Sequence, residues 1–467
     1  MASKVLLFSP IPVFTPTGMA SGLGLRVWGL ARALSARGHR VRIAAPGLTP
    51  GPSPAAAPPG IERVGWGKDT RASRAMIEDA DVVVVQPTLA QWPHFLRSRP
   101  RCLVVDLYNP TLLDCLTYLG PQKQHLHDYS NTVACHLFFL RRGDAFLCAG
   151  QRQRRFYLGA LSAAGRLNAL TDLERLLQVV PMGTESEPPV PPPQRLFRGR
   201  WVAEDAELLL WPGGIYPWFD ALTVVRALAC LRPDHSRATL LFVGAENPQA
   251  GGLSAPGAAE AARETRRLGL PDEAVRFAPW LPHDQRAAIY FEADLAVLAH
   301  KPLLEAEFSW RTRTLDCLWG GLPMVLTAGD ELGECAALAG AAVCVPPGDD
   351  RAMAAAIVAL LETPERRAAM RGAARGLAND VLSWDRVVEP LHALCRDPRP
   401  APDRSDPVLA RLLGRAIAPR CPIDGPLRCW SYRVACAVRG RGVSGAIRRG
   451  LAGLRPPCGL ASRNADG

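Results

Sequence analysis

The feature that most constrains the fold is a series of short, continuous apolar runs, each of which ends in a glycine or polar turn. KVLLF at 4–8, DADVVVVQP at 79–87 and AFLCAG at 145–150 are three of them. Continuous apolar runs are typical of strands that are buried on both faces of a parallel sheet. A helical pattern, LRVWGLARALSARG, follows the first run and ends at Gly38, so the chain begins with a βαβ unit. The series therefore predicts an α/β fold.

A proline-rich stretch, GTESEPPVPPPQ, separates two such series of runs. It can sustain neither a helix nor a central strand, so it marks a domain boundary. After it, ELLLWPGG, ATLLFVGA, ADLAVLAH and PMVLTAGD again alternate with helical stretches. Two Rossmann-like domains predict a cleft between them, which is a favoured place for a ligand. The predicted parts are an N-terminal domain at 1–183, a linker at 184–200, a C-terminal domain at 201–383, a closing helix at 384–395 and a basic tail at 396–467.

The formal net charge of +11 is concentrated near the C-terminal end. Residues 396–467 contain 14 arginines and 5 acidic residues, whereas the other 395 residues carry 41 basic and 39 acidic groups. PVLARLLGRAIAP and GAIRRGLAGLRPP interleave arginine with apolar residues. This pattern is typical either of a helical basic extension that lies on an anionic membrane surface or of a solvated tail. Nucleic-acid binding is not predicted, because the charge is confined to the tail and no base-reading motif accompanies it.

The start of the chain, MASKVLLFSPIPV, has the pattern of a first strand rather than of a signal peptide. No run approaches the roughly 18 apolar residues that a membrane-spanning helix needs. The 13 cysteines form no C-x-x-C motif, and we expect them to be reduced thiols. The sequence therefore predicts a cytoplasmic protein, with peripheral contact at the inner face of the plasma membrane left open.

The densest group of polar residues lies in the stretch LEAEFSWRTRTLDCLWGGLPMVLTAGD, at 304–330. Loop amides and a helix N-terminus favour phosphate, and planar arginine is suited to holding a diphosphate. Carboxylates accept hydrogen bonds from sugar hydroxyls. The alternative is a solvated, salt-bridged start of a helix. We interpret the stretch as a site for a phosphorylated, hydroxyl-rich ligand. Its polar members are Glu305, Glu307, Ser309, Arg311, Thr312, Arg313 and Asp316.

Glycine turns follow the first predicted strand of each domain. Gly22 and Gly24 either let the backbone approach a ligand or only close a turn, and their spacing is not the G-x-G-x-x-G of nicotinamide-binding proteins. For Gly213 and Gly214 we favour a backbone contact with phosphate, with Asp220 capping the next helix.

Polar and aromatic residues also follow other predicted strands. Trp280 either stacks on a nucleobase or is buried. Asp106, Tyr108 and Asn109 end a strand of the N-terminal domain, where α/β sheets present ligand contacts, and are candidates for contacting an acceptor across the cleft.

The order of these motifs resembles that of the retaining GT-B glycosyltransferases of family four, the glycogen-synthase-like or group 1 enzymes. ARGHRVRIAAP resembles the first βα unit of that family, VVPMGTE its interdomain segment, and 305–326 its Glu-x7-Glu region followed by C-G-x-P-V. Asp316 fills the second acidic position, whereas Glu307 precedes it by nine residues instead of eight. GGIYPWFDAL replaces the usual Arg and Lys pair, and this variant resembles a subgroup of bacterial surface-polysaccharide transferases.

The resemblance implies transfer of a sugar, with retention and without a metal or other cofactor, from a nucleotide-diphosphate sugar to a glycan or lipid-linked acceptor. It implies two catalytic residues, Glu307 at the donor sugar and Arg311 in place of the missing cations, and Asp316 at the ribose. The residues expected to bind the donor are Gly22, Gly24, Gly213, Gly214, Trp280, Ser309, Thr312, Arg313 and Asp316.

Two other functions remain open on the same residues. One is a non-catalytic homologue that binds a nucleotide sugar and acts as a partner subunit. The other is a phosphorylase or epimerase with the same fold.

Overall fold

The structure is a computed structural model that describes residues 2–14, 18, 20–47, 60–119, 123–246 and 255–409. Most of the predicted basic tail, residues 410–467, lies outside these ranges, as does most of the loop expected at 46–60. The prediction that the tail contacts a membrane therefore concerns residues outside the described chain.

Within the described ranges the strands form two parallel sheets, as the apolar runs predict. The first sheet has the strand order β3-β2-β1-β4-β5-β6-β7 and defines the N-terminal half; the second has the order β10-β9-β8-β11-β12-β13 and defines the C-terminal half. The strands are β1 (Lys4–Phe8), β2 (Arg40–Pro46), β3 (Ile61–Trp66), β4 (Val82–Val85), β5 (Leu103–Asp106), β6 (Ala145–Cys148), β7 (Leu177–Val179), β8 (Glu207–Pro212), β9 (Ala238–Val243), β10 (Val275–Ala278), β11 (Leu295–Leu298), β12 (Met324–Thr327) and β13 (Ala342–Val345).

Six of these thirteen strands are buried along their whole length, and Val82–Val85 is an example of four consecutive buried valines. Consecutive residues of a strand point to opposite faces, so helices must cover both faces of the sheet. The helices are α1 (Gly22–Ala36), α2 (Thr70–Asp79), α3 (Trp92–Phe95), α4 (Thr111–Leu119), α5 (Lys123–Arg142), α6 (Gln151–Ala163), α7 (Leu173–Leu176), α8 (Ala221–Leu231), α9 (Ala255–Arg267), α10 (Ala287–Glu292), α11 (Leu304–Phe308), α12 (Thr312–Gly320), α13 (Glu331–Leu338), α14 (Asp350–Leu361), α15 (Pro364–Gly376), α16 (Trp384–Val387), α17 (Glu389–Arg396) and α18 (Pro402–Ser405), with a 3-10 turn at His283–Gln285 and a π-helical turn at Leu377–Val381.

The strand order of each sheet determines where a ligand can enter. It reverses between β1 and β4 in the first sheet and between β8 and β11 in the second. Connections leave to opposite sides at such a point, which opens a crevice at the carboxyl ends of the strands. The predicted fold class, two Rossmann-like sheets facing a cleft, is confirmed.

The predicted closing helix at 384–395 is two helices, α16 and α17. Pro390 lies in the first turn of α17, where its missing amide hydrogen costs no hydrogen bond. Both helices return to the N-terminal half. A Cβ atom at Gly29 of α1 would lie 2.0 Å from the ring of Trp384, so the indole fits there only because position 29 is glycine. The His39 Nε2 atom lies 2.9 Å from His392 Nδ1.

The chain continues along the N-terminal half after α17, although the sequence assigns these residues to the tail. Arg166 donates from Nε to Asp403 Oδ2 at 2.7 Å and from Nη2 to Oδ1 at 3.0 Å, and both side chains are buried. Arg404 donates to Asp144 Oδ2 at 2.6 Å. Residues 397–405 are therefore packed against the N-terminal half.

We expect Asp403→Ala to lower the free energy of unfolding by about 3–5 kcal/mol, because it leaves Arg166 charged, buried and unpaired. Asp397→Ala is the matched control, since the exposed ion pairs of Asp397 contribute about 0–1 kcal/mol. Urea denaturation of the two variants measures the difference. Equal losses in both would show that Asp403 is not part of the folded body.

Candidate functional site

A cavity of about 400 Å³ lies between the two halves, at the carboxyl ends of the strands. This volume is within the range of cavities that bind small molecules. The predicted residues that line it are Gly22, Tyr108, Asn109, Gly213, Gly214, Trp280, Ser309, Arg311, Thr312, Arg313 and Asp316. Three others, Gly24, Asp106 and Glu307, are not among the residues that line it.

Helix α11 places Glu305, rather than Glu307, at the cavity. Glu305 is buried and lines the cavity, whereas Glu307 is exposed. Residues two positions apart on a helix point roughly 200° apart around its axis, so the two acids cannot share a face. The acid of this helix that faces the cavity is therefore Glu305 and not Glu307.

The Glu305 carboxylate is held by groups of its own half of the chain. Arg311 donates from Nη1 to Oε1 at 3.0 Å and from Nη2 to Oε2 at 2.8 Å, a bidentate pair in which both side chains are buried. The Ser309 hydroxyl also donates to Oε1. Because its fork is directed at Glu305, Arg311 is not the free cation that the sequence predicted for a diphosphate.

Asp114, which the sequence analysis did not single out, meets Glu305 from the N-terminal half. It lies in the first turn of α4, lines the cavity and forms a side-chain hydrogen bond with Glu305. Burial, followed by the negative charge of Glu305, raises the pKa of Asp114 to about 8, although the positive charge of Arg311 opposes the shift. An acid in the first turn of a helix is ordinary, so the sequence carries no signal for this contact.

Arg313 is a cation in the cavity wall without an acidic partner. Its guanidinium donates from Nη2 to the Gly214 carbonyl at 2.7 Å and lies 3.7 Å from the ring centroid of Phe219. Its Nη1 atom is buried and has no hydrogen-bond partner. No carboxylate of the described residues lies within 4.0 Å of it.

The surroundings of Arg313 disfavour its charge. Burial, with a smaller contribution from the charge of Arg311, lowers the pKa of Arg313 to about 9. A buried charge is costly unless it is paired, and such groups cluster at functional sites. The arrangement indicates a site for an anionic ligand.

Gly213 and Gly214 orient Arg313 instead of presenting two free amides. Gly213 has a φ of 91°, in the left-handed region that favours glycine, and its amide donates to the Val243 carbonyl at 2.7 Å. The Gly213 amide therefore already has a partner within the fold, and the phosphate contact at Gly213 and Gly214 stays a prediction. At the start of α12, beside the cavity, the amides of Thr312 and Arg313 have no acceptor within their own helix, whereas that of Thr314 donates to the Arg311 carbonyl at 3.0 Å.

Asp316 lies one turn further along α12. Burial raises the pKa of its carboxyl, and Glu185 adds to the shift, whereas Arg286 opposes it. Arg286 lines the same cavity, with its Nε atom 3.8 Å from Asp316 Oδ1 and its Nη1 atom 2.7 Å from His283 Nε2. Burial and this neighbouring charge lower the pKa of His283 to about 3, so its ring is neutral and accepts. No motif in the sequence indicates that Arg286 belongs to the site.

Aromatic side chains form another part of the wall. Trp280 is partly exposed, and a Cβ atom at Gly244 would lie 2.7 Å from its ring, so the indole packs closely over that glycine. Tyr216 and Trp218 are stacked, with centroids 5.1 Å apart and planes 17° apart. The buried alternative for Trp280 does not hold, because the residue lines the cavity.

Two of the predicted site residues in the N-terminal half stabilise the packing of that half and do not line the cavity. A Cβ atom at Gly24 would lie 2.6 Å from the Val13 carbonyl oxygen, so this glycine permits close approach of two segments of one half. Asp106 is buried and accepts from Arg26 Nη2 at 2.9 Å and from Arg26 Nε at 3.1 Å. Its carboxylate is therefore used within the core, and Tyr108 and Asn109 are the acceptor candidates that reach the cavity.

The described residues contain no group of three or more His, Cys, Asp or Glu side chains that could hold a metal ion. None of the described helices combines the length and apolar character that crossing a membrane requires.

Comparison with known sequences relates the C-terminal half to one family. Residues 206–363 match the model of the family described as "Glycosyl transferases group 1". The chain is also 33% identical over 254 residues to a D-inositol 3-phosphate glycosyltransferase from Kineococcus radiotolerans. That alignment covers 49% of this chain and 56% of the relative, so the chain matches just over half of the relative's length.

Solved structures share the fold over most of their length. A sucrose-phosphate synthase from Thermosynechococcus elongatus superposes with a TM-score of 0.65 at 16% identity, covering 84% of this chain and 98% of that one. Anabaena HepE, in complex with UDP and glucose, superposes with a TM-score of 0.59 at 15% identity, covering 85% and 100%. These matches identify the two-sheet arrangement as the GT-B fold.

Replacing Arg311 or Arg313 with methionine should have opposite effects on the free energy of unfolding. Arg311→Met leaves Glu305 buried without its bidentate partner, and we expect a loss of about 3 kcal/mol in the free energy of unfolding. Arg313→Met removes a partly buried cation that has no acidic partner, so we expect a variant at least as stable as the parent protein. Urea denaturation of the ligand-free proteins measures both values. A loss for Arg313→Met equal to that for Arg311→Met would contradict the assignment of Arg313 as the unpaired cation.

Proposed function

We infer that this chain, whose residues 206–363 match the group 1 glycosyltransferases and whose fold is GT-B, is a glycosyltransferase that uses a nucleotide-diphosphate sugar as donor. The observation that carries this inference is Arg313, a partly buried guanidinium with an unpaired Nη1 atom in the wall of the cavity. A diphosphate is the ligand chemistry that would supply the missing negative charge. Planar guanidinium also binds phosphate oxygens through two parallel hydrogen bonds.

The transfer step requires stabilisation of the leaving group. When the bond between the sugar and the diphosphate breaks, negative charge grows on the diphosphate oxygens. Arg313 and the first amides of α12 line the cavity and are fixed by the fold before any ligand arrives. Preorganised donors of this kind stabilise a developing charge without reorganising during the reaction. In our proposal they take the role that the sequence analysis assigned to Arg311.

The remaining contacts to the donor follow from the chemical type of the side chains that line the cavity. Glu305 would accept from hydroxyls of the donor sugar, and Asp316 from the ribose, because carboxylates are strong acceptors for hydroxyl groups. Trp280, which is partly exposed at the cavity, would stack on the nucleobase. Because Anabaena HepE was solved with UDP and glucose and also with UDP-glucose, a UDP-sugar is the first donor to test.

We propose further that transfer proceeds with retention and without a metal ion. Arg313 and the N-terminus of α12 supply positive charge on the side of the cavity where the diphosphate would lie. The leaving phosphate itself would take the proton of the attacking hydroxyl, so the proton passes from the acceptor to the released nucleotide. One glycosidic bond forms and one bond between sugar and phosphate breaks, with no change in oxidation state.

The acceptor is proposed to be a hydroxylated glycan or lipid-linked molecule. Tyr108 and Asn109 would contact it, since they bring the N-terminal half to the cavity. The names of similar proteins differ in this respect: one is a D-inositol 3-phosphate glycosyltransferase, and WaaG is a glycosyltransferase involved in lipopolysaccharide biosynthesis.

The proposal is tested with a panel of radiolabelled nucleotide sugars and by calorimetric titration with UDP. Arg313→Met should weaken the binding of UDP roughly 100-fold, about 2.7 kcal/mol, because a hydrogen-bonded charge contact to phosphate is lost. Arg267→Met is the control, as this arginine pairs with Glu264 on α9 and does not line the cavity. Unchanged UDP affinity in Arg313→Met would contradict the proposed diphosphate site.

Metal independence has its own measurement. We expect a chelator such as EDTA to leave the transfer rate unchanged within twofold, because arginine and helix amides carry the charge stabilisation. Loss of activity that magnesium or manganese restores would refute this part of the proposal.

The non-catalytic alternative is supported by one observation. Arg311, one of three arginines that line the cavity, is already engaged by Glu305 and is unavailable to a donor in the described arrangement. A binding subunit would bind UDP yet release no nucleoside diphosphate from any sugar nucleotide, with or without added acceptors. Acceptor-dependent release of UDP would exclude it.

A further inference from the structure

The contact between Asp114 and Glu305 joins the two halves of the chain through a pair of acids. Asp114 is on α4, beside the first sheet, and Glu305 is on α11, beside the second. Both residues line the cavity. Two ionised carboxylates repel each other at hydrogen-bond distance, and neither carries a hydrogen to donate. The contact therefore requires a proton on one of the two.

The other hydrogen bonds of Glu305 indicate which group donates. Its two oxygens already accept three hydrogen bonds, two from Arg311 and one from Ser309. A carboxylate has about four acceptor sites, so one remains for Asp114. These three hydrogen bonds come from two groups, the positively charged guanidinium of Arg311 and the hydroxyl of Ser309. The proton therefore resides on Asp114, which donates to Glu305 as a neutral carboxylic acid.

The charges around Asp114 are consistent with that assignment. Among the described residues, the charged groups that act on its carboxyl are Glu305 and Arg311. Two tyrosines of the N-terminal half, Tyr108 and Tyr157, lie near enough for the charge of Asp114 to raise their pKa values, and burial raises both far above the neutral range. Helix α5, which packs on α4, contributes His136, whose pKa burial lowers to about 4. These three groups keep one protonation state between pH 6 and 8.

We propose that Asp114 is a positioning residue whose carboxyl proton fastens the N-terminal half to Glu305, so that closing the cleft takes up one proton. When the cleft is open, Asp114 is a solvated carboxyl group and is ionised at neutral pH. When it is closed, Asp114 is protonated and holds Glu305 in place beside Arg311. The consequence for sugar transfer rests on the proposed function, but the coupling between closing and protonation does not.

The direction of the pH dependence follows from the two states. An exposed aspartate has a pKa of about 4, whereas that of Asp114 in the closed arrangement is about 8. Between these values the folded, closed protein binds one more proton than the open or unfolded chain. The equilibrium constant for closing therefore falls by up to about tenfold per pH unit as the pH rises through this window. Above pH 8 it no longer changes, because Asp114 is ionised in both states.

The decisive variant is Asp114→Asn, because its amide donates to Glu305 at every pH and does not ionise. We expect the unfolding equilibrium constant of the parent protein, divided by that of Asp114→Asn, to rise about tenfold per pH unit between pH 5 and pH 8. Glu307→Gln, on the same helix as Glu305 but facing away from the cavity, is the matched control, and it should keep the pH dependence of the parent. A ratio that is constant with pH would overturn the proposal.

A second measurement distinguishes a hydrogen bond that holds the two halves together from an acid that is only buried. Small-angle X-ray scattering of the ligand-free protein at pH 6.5 and pH 8.5 reports the separation of the halves. We expect the parent to expand at pH 8.5, Asp114→Asn to stay compact at both values, and Asp114→Ala to be expanded at both. Expansion of Asp114→Asn to the same extent as Asp114→Ala would refute the role of the donated hydrogen bond. Neither measurement uses a sugar nucleotide, so failure of the proposed function would leave both outcomes unaffected.

Discussion

The cavity depends on how the chain accommodates two arginines that are two residues apart. Arg311 is neutralised by Glu305 within its own half, while Arg313 is anchored by the Gly214 carbonyl and by the rings of Phe219 and Trp211. Burying a charge costs free energy, and the bidentate pair reduces that cost for the first arginine alone. The protein therefore pairs one cation within the fold and leaves the other without an acidic partner, which is the basis of the proposed diphosphate site.

The topology explains why these groups face a cleft. Both sheets are parallel and reverse their strand order at one point, so strand ends and helix N-termini converge on the same edge. The C-terminal half contributes both arginines, Glu305 and Asp316, whereas the N-terminal half contributes Tyr108, Asn109 and Asp114. A site divided in this way depends on the closed arrangement of the halves. In our proposal that arrangement requires a proton on Asp114, which donates it to Glu305 in a hydrogen bond. The helices after residue 383, which pack back on the N-terminal half, link the two halves a second time.

The comparison of residues 304–316 shows where sequence reasoning succeeded and where it did not. It located the polar cluster, because an acid-rich and arginine-rich turn between a strand and a glycine turn stands out in any α/β chain. It chose Glu307 over Glu305, because family spacing counts residues, whereas the side of a five-residue helix that faces the cavity depends on packing against the other half. It also assigned Arg311 to the ligand, since no pattern in the sequence distinguishes a paired guanidinium from an unpaired one. Asp220 was correctly predicted as a helix cap because capping is local.

The sequence by itself determined the strands, the helices and the division into two Rossmann-like halves, because apolar periodicity and glycine or proline turns act over a few neighbouring residues. Tertiary structure alone decided the partners of the charged groups. Asp114 and Glu305 are far apart in the chain, and Arg166 and Asp403 are separated by 237 positions. Whether a carboxyl group is solvated, paired with an arginine or protonated depends on which side chains of distant segments contact it in the folded protein. That depends on how the two sheets meet, which no local pattern encodes.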